Sequence, residues 1–491
     1  MNKIFKVIWS KSKQCYVVVS ELAKNNTGKK KIVVASILAS LMVQPLIVMD
    51  VGAVGMFTSS IKKGAIAIGT GTGVIANATA SATEENAIAI GQNAAATKDN
   101  AIAIGQSAKG NGRGGVALGN DTSAGWNAFA AAWNAKATGK GSNAIGQAMA
   151  NSDSAMAIGT NASATDNSAT AIGNGANASK ENAVAFGTSA VASESSATAI
   201  GNGASASKAN ALAIGTGTSA AEASATAIGN GATASKSDAI AMGTSAAASE
   251  SSAIAIGKST QAKSSKAIAV GEGAVADGTS TIAIGAGNNA TGWGATAIGK
   301  NVQVTRERST GIGWDLTVDQ SAATLVGYNS QVHANQGTGL GSTINITSAA
   351  QYGTGIGYQV DVSGKNAVAI GSSGDTGTHT AASATDAVSI GTATVASGEA
   401  ATAIGKKAAA SKANAVAFGT SATASESSAT AIGNGATASK ANAIAMGTSA
   451  AASEASATAI GNGASASKDN SIAMGTNAAA SDSYTVAIGN G

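Results

Sequence analysis

A glycine that follows a short apolar segment recurs every fourteen residues through most of the chain. The triplet Ala-Ile-Gly and its close variants place this marker glycine at regular steps from Gly159 to Gly341 and again from Gly391 to Gly489. A fixed period indicates a repeat architecture, in which each unit buries its apolar face against its neighbours. Fourteen is not a multiple of the hexapeptide period, the glycine-aspartate nonapeptide is missing and leucine is scarce, so other common solenoids are excluded.

Each repeat predicts one coil of a parallel β-solenoid. In Ala211-Leu212-Ala213-Ile214-Gly215 small and larger apolar residues alternate, which is typical of a strand with one bulky face and one alanine face. The alanine face allows another surface to approach closely, including another chain. The pair Asn202-Gly203 favours a turn, and the remaining residues supply a second short polar strand. The bulky residues before the marker form a predicted structural apolar column of Phe186, Ile200, Ile214, Ile228, Met242 and Ile256.

The apolar content of each coil is low for a free-standing molecule. Aromatic residues are 3% of the chain and charged residues are 11%. Coils stacked at the strand spacing of roughly 4.8 Å would form a rod on the order of 130 Å long. One isoleucine and a few alanines per coil bury little surface, so we expect copies of the chain to associate along their length.

A charged residue stands seven positions before the marker glycine, and its sign alternates from coil to coil. In a stacked solenoid each lysine then lies between two acids, an arrangement worth about 0.2–1 kcal/mol per pair and less where the pair is exposed. A slip by one coil would bring like charges together and is therefore disfavoured. Descent from a duplicated 28-residue unit explains the same alternation and is compatible with this role. The predicted structural ladder comprises Asp166, Lys180, Glu194, Lys208, Glu222, Lys236 and Glu250, with Lys412, Glu426, Lys440, Glu454, Lys468 and Asp482 in the second array.

The amino terminus has the pattern of an export signal. Lys29-Lys30-Lys31 precede an apolar run at residues 32–48. Cleavage after Ala53 is plausible, and Gly55 and later positions are alternative cleavage sites. A cationic cluster, an apolar run and small residues predict a helical secretory signal over residues 29–53. A permanent membrane helix is the alternative, since the run is nearly long enough to span a bilayer, but Gln44 and Pro45 weaken it.

Two resemblances identify a family. Residues 1–9, MNKIFKVIW, and residues 17–24, VVVSELAK, resemble the extended signal-peptide region of large Gram-negative autotransporters, so residues 1–28 are assigned to that region. The repeated AIAIG and ATAIG segments resemble the heads of YadA-like trimeric autotransporter adhesins. Head repeats are assigned to residues 64–300 and 363–491, and variant head repeats to residues 301–362.

The resemblance implies an all-β, left-handed parallel β-roll that assembles as a homotrimer, with the AIG strand on the inner side. It also implies export across the inner membrane to the cell surface of a Gram-negative bacterium. The expected function is attachment to host extracellular-matrix or cell-surface proteins, and possible self-agglutination, through many contacts along three chains. A purely structural spacer is the alternative. An ice-binding solenoid is less favoured, because threonine alternates with valine, leucine or isoleucine on the strand.

Members of this family end in a coiled-coil stalk and a membrane anchor to which each chain contributes four strands. The residues up to Gly491 continue the head pattern, with neither heptads nor barrel strands. The stalk and anchor are therefore expected to be absent, and the sequence to be a fragment or a truncated gene product. Outer-membrane anchoring would depend on that missing domain.

Aromatic residues concentrate where the repeat is irregular. One such place is the 27-residue step between Gly119 and Gly146, and another is the segment 293–362. Trp314, Tyr328 and Tyr358 each follow a marker glycine, so they are predicted to lie in one column at the turn. Two interpretations of the aromatic residues stay open: packing at irregular parts of the solenoid, and exposure to a ligand. The insertion between Gly371 and Gly391 predicts a protruding loop, a common location for binding. The candidate ligand-binding residues are Trp126, Trp133, Trp293, Trp314, Tyr328, Tyr352 and Tyr358.

Other function classes find no support. Removing residues 1–53, which carry eight lysines against Glu21 and Asp50, leaves 22 basic and 24 acidic residues, so the electrostatic basis for binding nucleic acid is missing. The single cysteine, Cys15, lies in the signal region, which suits an exported protein. Beside two isolated histidines, His333 and His379, there is no metal-ligand cluster, nucleophile motif or phosphate loop. We therefore expect no enzyme activity and no cofactor.

Overall fold

The computed structural model of the chain describes residues 5–10, 15–20, 62–69, 80–373 and 377–491. The chain divides into two compact units, Met1–Asn127 and Ala128–Gly491. Every regular element in the described residues is a β-strand, and none of those residues lies in a helix able to cross a membrane. The predicted signal helix at residues 29–53 falls outside the described residues and stays a prediction.

The first unit contains a hairpin and a short run of coils. The hairpin pairs Phe5–Ser10 with Cys15–Ser20 in antiparallel register. These two segments of the signal region are therefore β-strands. In the coils, three-residue strands at the AIG position (AIG strands) alternate with two-residue strands (short strands). The AIG strands are Ile66–Ile68, Ile88–Ile90, Ile102–Ile104 and Val116–Leu118, and the short strands are Ser81–Ala82, Ala95–Ala96, Lys109–Gly110 and Ser123–Ala124.

The second unit repeats the same two kinds of strand, although three of its AIG strands are five residues long and one of its short strands is three residues long. Its AIG strands are Phe129–Ala131, Asn143–Ile145, Met156–Ile158, Thr170–Ile172, Val184–Phe186, Thr198–Ile200, Leu212–Ile214, Thr226–Ile228, Ile240–Met242, Ile254–Ile256, Ile268–Val270, Ile282–Ile284, Thr296–Lys300, Val368–Ser372, Val388–Thr392, Thr402–Ile404, Val416–Phe418, Thr430–Ile432, Ile444–Met446, Thr458–Ile460, Ile472–Met474 and Val486–Ile488. Its short strands are Lys136–Ala137, Met149–Ala150, Ser163–Ala164, Asn177–Ala178, Val191–Ala192, Ser205–Ala206, Ser219–Ala220, Thr233–Ala234, Ala247–Ala248, Gln261–Ala262, Val275–Ala276, Asn289–Ala290, Gln303–Val304, Thr380–Ala382, Val395–Ala396, Ala409–Ala410, Thr423–Ala424, Thr437–Ala438, Ala451–Ala452, Ser465–Ala466 and Ala479–Ala480. Four fused strands replace both in the variant coils: Thr310–Val318, Thr324–Val332, Thr338–Ile346 and Thr354–Val362.

Strands one repeat apart pair in parallel and in register. Thr198–Ile200 pairs with Leu212–Ile214, and Ser205–Ala206 pairs with Ser219–Ala220. The AIG strands therefore build one wall of the solenoid and the short strands build the other. The predicted parallel β-solenoid with coils of about fourteen residues is confirmed.

The interior of a regular coil consists of small side chains. In the coil around Leu212–Ile214 the inward residues are Ala211, Ala213, Thr218 and Ala220, each at most 1% exposed. Alanine fits because the two walls close on each other and leave room for a methyl group from each side. The surface that approaches the alanine face is therefore the opposite wall of the same coil, and the expectation that these alanines could contact another chain is wrong.

The bulky residues of the AIG strand point outward. Phe186, Ile200 and Ile214 are neighbours in consecutive coils, and the column continues in register through Ile228, Met242 and Ile256. Phe186 is 50% exposed in the single chain. The apolar column is thus a surface feature of one chain.

Backbone conformation explains the marker glycine. At Gly201 φ is +132°, a region that residues with a Cβ atom rarely adopt. A Cβ atom built there would lie 2.3 Å from the carbonyl oxygen of Gly215 in the next coil. The position therefore requires glycine both for its φ angle and for the stacking of coils.

Irregular steps in the sequence are absorbed at coil corners. Within the 27-residue step, Ala132 takes the place of a marker glycine at φ +77°, directly after the ordinary strand Phe129–Ala131. The sixteen-residue step to Gly357 keeps the strand register. The predicted loop between Gly371 and Gly391 lies partly outside the described residues, which omit 374–376.

Candidate ligand-binding surfaces in the variant coils

The variant coils have a larger interior than the regular coils. Their inward side chains include Leu316, Leu325, Ile344 and Ile346, all at most 1% exposed. Fused nine-residue strands run from one wall to the other through the marker glycine, so the first corner of the coil is straightened. Branched residues supply more apolar burial per coil than alanine does.

Glycines of the AIG wall make room for these side chains, either on the facing wall or in the neighbouring coil of the same wall. A Cβ atom at Gly311 would lie 2.7 Å from Val302 Cγ1, and one at Gly339 would lie 2.6 Å from Leu325 Cδ1. In the coil of Thr324–Val332 the sizes are reversed, because Leu325 stands on the AIG side and the small Ser330 on the other. Large and small residues are therefore exchanged between walls at roughly constant volume, which is the change a packed core tolerates best.

The first aromatic group follows the marker glycines. Trp314 and Tyr328 are register neighbours whose ring centroids lie 5.6 Å apart at an interplanar angle of 68°. This edge-to-face geometry is favourable for aromatic pairs. Lys300 Nζ lies 5.0 Å from the Trp314 ring centroid on the other side, within range of a cation–π contact.

Tyr358 lies in the same column, but Ser342 separates it from Tyr328. The prediction of one column is correct for Trp314, Tyr328 and Tyr358. The predicted location at a turn is wrong, because the fused strands carry these residues within a strand. Each of the three is about half exposed, so they form a surface strip (the aromatic column) rather than part of the core.

The second aromatic group lies on the opposite corner, before the AIG position. Trp293 is covered on one side by Arg308, whose guanidinium carbon is 5.0 Å from the ring centroid. Tyr352 occupies a left-handed turn position at φ +63° and is 46% exposed. The candidate residues of the variant zone therefore divide between two corners and do not form one site.

Trp126 and Trp133 belong to different units. Trp126 lies in the first unit and Trp133 in the second, and each is at least half exposed. Neither side chain is buried in a core, and both the packing and the ligand interpretation of these two residues stay predictions.

A groove opens at the same corner as Trp293 and Tyr352. Its volume is about 270 Å³, and it is lined by Glu307, Arg308, Ser321, Ala322, Asn335, Gln336 and Gln351. Four successive coils contribute to it. Sequence reasoning did not find this groove because its residues are neither aromatic nor unusual in type.

Two histidine–carboxylate pairs face outward from the wall of the short strands. His333 Nδ1 lies 2.6 Å from Asp319 Oδ2, and His379 Nδ1 lies 2.5 Å from Asp361 Oδ2. Gln331 contacts His333 Nε2 at 2.7 Å. The first pair could have been predicted from the sequence, because Asp319 and His333 are one repeat period apart. Both histidines thus have structural partners, and the described residues contain no group of ligands suited to a metal ion.

The charge ladder is stacked in register but is not held by ion pairs. The strand register places Glu194 and Lys208 one coil apart. Among the described residues, ion pairs shorter than 4 Å form instead at Lys258–Glu272 and Lys263–Asp277, which lie in other columns. In the first unit, Lys62 pairs with Glu84, and this hydrogen bond raises the pKa of the lysine.

Comparison with protein families gives two matches. The model of the extended signal peptide of the type V secretion system matches residues 1–47. The YadA head domain repeat matches residues 76–94, 82–108, 150–176, 178–204, 206–232, 234–260, 262–288, 276–301, 382–408, 410–436, 438–464 and 466–491. The head matches together cover more than half of the chain, and the groove and the aromatic column fall between them. No curated protein matches the chain.

The signal match and the head repeats together support export and a cell-surface location. Repeats of this family on a β-solenoid are typically non-enzymatic. The chain belongs to the YadA-like trimeric autotransporter adhesins.

Proposed function

We propose that the chain forms a homotrimer of left-handed β-rolls that attaches the bacterium to host extracellular matrix or cells and mediates self-agglutination. The observation that carries the trimer is the outward apolar column. Phe186, Met242, Ile256 and Phe418 are each at least 37% exposed in the single chain. Single exposed apolar residues are common, but a long continuous column is typical of an interface.

Burial of this column against two further copies compensates for the small alanine core. Each regular coil encloses mainly methyl groups, whereas its bulkiest apolar residues stand outside. Association would remove that surface from water at about 25 cal/mol per Å². The outward face of the AIG strand is therefore the proposed contact between chains, in agreement with the expected inner position of this strand in the trimer.

Adhesion itself is assigned to the variant coils. Trp314, Tyr328 and Tyr358 present half-exposed rings on a rigid sheet, and aromatic anchors dominate many protein interfaces. A trimer would display three copies of the aromatic column at one level. Weak contacts then combine, because each later contact forms within the same complex.

The surface of the regular coils favours a spacer role for these parts of the chain. The outward positions of their short strands carry small residues such as Ser205, Ser219 and Thr233, which offer few anchors. A purely structural scaffold is the second candidate function for the whole chain. It differs from the first in predicting no binding by the variant coils.

Two measurements test the proposal. Sedimentation equilibrium of the secreted chain is expected to give three times the chain mass, and a folded β-rich monomer would contradict the trimer. Solid-phase binding to collagen, fibronectin, laminin and cultured cells is expected to detect adhesion. Trimers that bind none of these and do not agglutinate cells would favour the spacer.

A further inference from the structure

The groove of the variant coils has a simple steric origin. Residues five positions before the marker glycine stack along this corner, and the sequence there reads Arg308, Ala322, Gln336 and Tyr352. Three of these side chains are long and Ala322 is short. The methyl group of Ala322 and the neighbouring Ser321 therefore form a floor between higher walls.

The walls are fixed by the stacking of the coils. The amide of Ala322 donates to the carbonyl oxygen of Glu307 at 3.0 Å, and the amide of Gln336 donates to that of Ser321 at 3.0 Å. Asn335 Oδ1 accepts from the Ser321 amide at 3.2 Å. These contacts hold the backbone of the lining residues and the Asn335 side chain in place before any ligand arrives, which lowers the entropic cost of binding.

Three polar side chains of the lining, two amides and one carboxylate, have no protein partner. Among the described residues, the side chains of Gln336, Gln351 and Glu307 make no hydrogen bond to the protein. The two amides can both donate to and accept from a ligand, and the carboxylate can accept. Glu307 and Arg308 carry opposite charges, so the groove favours neither a strong anion nor a strong cation.

The apolar surface of the lining is the methyl group of Ala322. Two rings lie near the groove without lining it: Trp293 packs against Arg308, and Tyr352 follows Gln351, each ring about half exposed. The volume of about 270 Å³ lies just below the range of roughly 300–1,000 Å³ found for drug-sized ligands. A ligand that matches this groove is small and uncharged, with hydroxyl groups around its edge and an apolar face.

We infer that the groove binds a neutral sugar residue of a surface glycan. Amide and carboxylate groups of Glu307, Gln336 and Gln351 meet the sugar hydroxyls, while the methyl group of Ala322 contacts its C–H groups. The inference rests on the proposed adhesive function and names one ligand class for it. In the proposed trimer, three grooves at one level make binding multivalent.

The test compares the secreted wild-type chain with Ala322→Gln on an array of oligosaccharides ending in neutral hexose, N-acetylhexosamine, fucose or sialic acid. Glutamine occupies the equivalent position at Gln336, so the variant fills the floor with a side chain that this turn accepts. We expect the wild type to bind neutral termini in preference to sialylated ones. Calorimetric titration with the strongest binder is expected to show about a tenfold rise in Kd for Ala322→Gln.

Two further variants sharpen the result. Gln351→Ala removes one hydrogen-bonding group from the wall and is expected to raise Kd about threefold. Ser428→Gln makes the same type of change at the same turn position of a regular coil, φ +58°, and is expected to leave Kd unchanged.

Several outcomes would overturn the inference. Binding to no oligosaccharide excludes the sugar, and equal affinity of Ala322→Gln and wild type excludes the groove. A chain that adheres to matrix proteins but binds no oligosaccharide would refute the sugar while leaving the adhesive function intact. A chain that does neither would refute both.

Discussion

The regular coils around residues 198–228 and the variant coils of residues 301–362 use the same strand register with different interiors. Ala213 has its counterpart in Gly311 or Leu325, and Ala220 has its counterpart in Val318 or Val332. The regular design keeps the walls close and carries its bulky residues outside. The variant design encloses branched residues and leaves aromatic rings outside. The comparison teaches that the coil can exchange volume between its walls without losing register.

The stacking of marker glycines provides the largest expected effect. A Cβ atom at Gly327 would lie 1.6 Å from the Gly341 carbonyl oxygen, against 2.3 Å for Gly201 and Gly215. We expect Gly327→Ala to lower the free energy of unfolding by about 4 kcal/mol or more, and Gly201→Ala to lower it by less. Denaturant unfolding of the secreted chain measures both. Equal losses would mean that the straightened strands are no more closely stacked than the regular corners.

The interiors themselves can be compared by truncation. Leu325 is fully buried, so Leu325→Ala is expected to cost about 2–5 kcal/mol. In a regular coil Ala213→Gly removes one methyl group and is expected to cost about 1 kcal/mol. Thermal unfolding followed by circular dichroism gives the two values. A small loss at Leu325 would indicate that neighbouring coils collapse into the cavity.

The outward column of the regular coils is a third point of difference. Phe186→Lys is expected to weaken the proposed trimer by about 1.5–3 kcal/mol per chain, the value of burying a large apolar side chain. Sedimentation over a range of concentrations detects the shift toward monomer. Ser205→Lys on the opposite wall is the matched control, and dissociation by this variant instead would place the interface on the short strands.

The aromatic column distinguishes binding from stability. Trp314→Ala and Tyr358→Ala remove half-exposed rings, so we expect matrix binding to fall about tenfold in Kd with the unfolding temperature nearly unchanged. Asn202→Ala, at the same position of a regular coil, is the control and should bind normally. Full binding by both aromatic variants would leave these rings without a ligand role.

The smallest effects concern charge. Lys208→Glu is expected to change the free energy of unfolding by no more than about 0.5 kcal/mol, because exposed charges without close partners contribute little. Asp319→Asn alters the 2.6 Å contact with His333 and is expected to cost about 0.5–1.5 kcal/mol. Denaturant unfolding of the Lys208→Glu and Asp319→Asn variants at low and high salt distinguishes the two effects. A loss above 1 kcal/mol for Lys208→Glu would show that the ladder fixes register after all.

Much of the repeat unit followed from the sequence. The strand at Leu212–Ile214, the short strand at Ser219–Ala220 and their parallel register are consequences of the fourteen-residue period. The aromatic column also followed, since Trp314 and Tyr328 share one repeat position. The fused strands did not, because the marker glycine looks the same in both kinds of coil. The groove at Ala322 escaped notice because it arises from one short side chain among long neighbours.

The sequence by itself determined the period, the strands and the pairing of each residue with its counterpart one coil away, because these depend only on order along the chain. It could not decide which face of the AIG strand lies inside. Period-two alternation defines two faces but does not orient them. That choice depends on the opposite wall, which approaches only after the coil closes and which leaves space for Ala213 but not for Ile214. Tertiary structure therefore placed alanine inside, the apolar column outside and four turns side by side around Ala322.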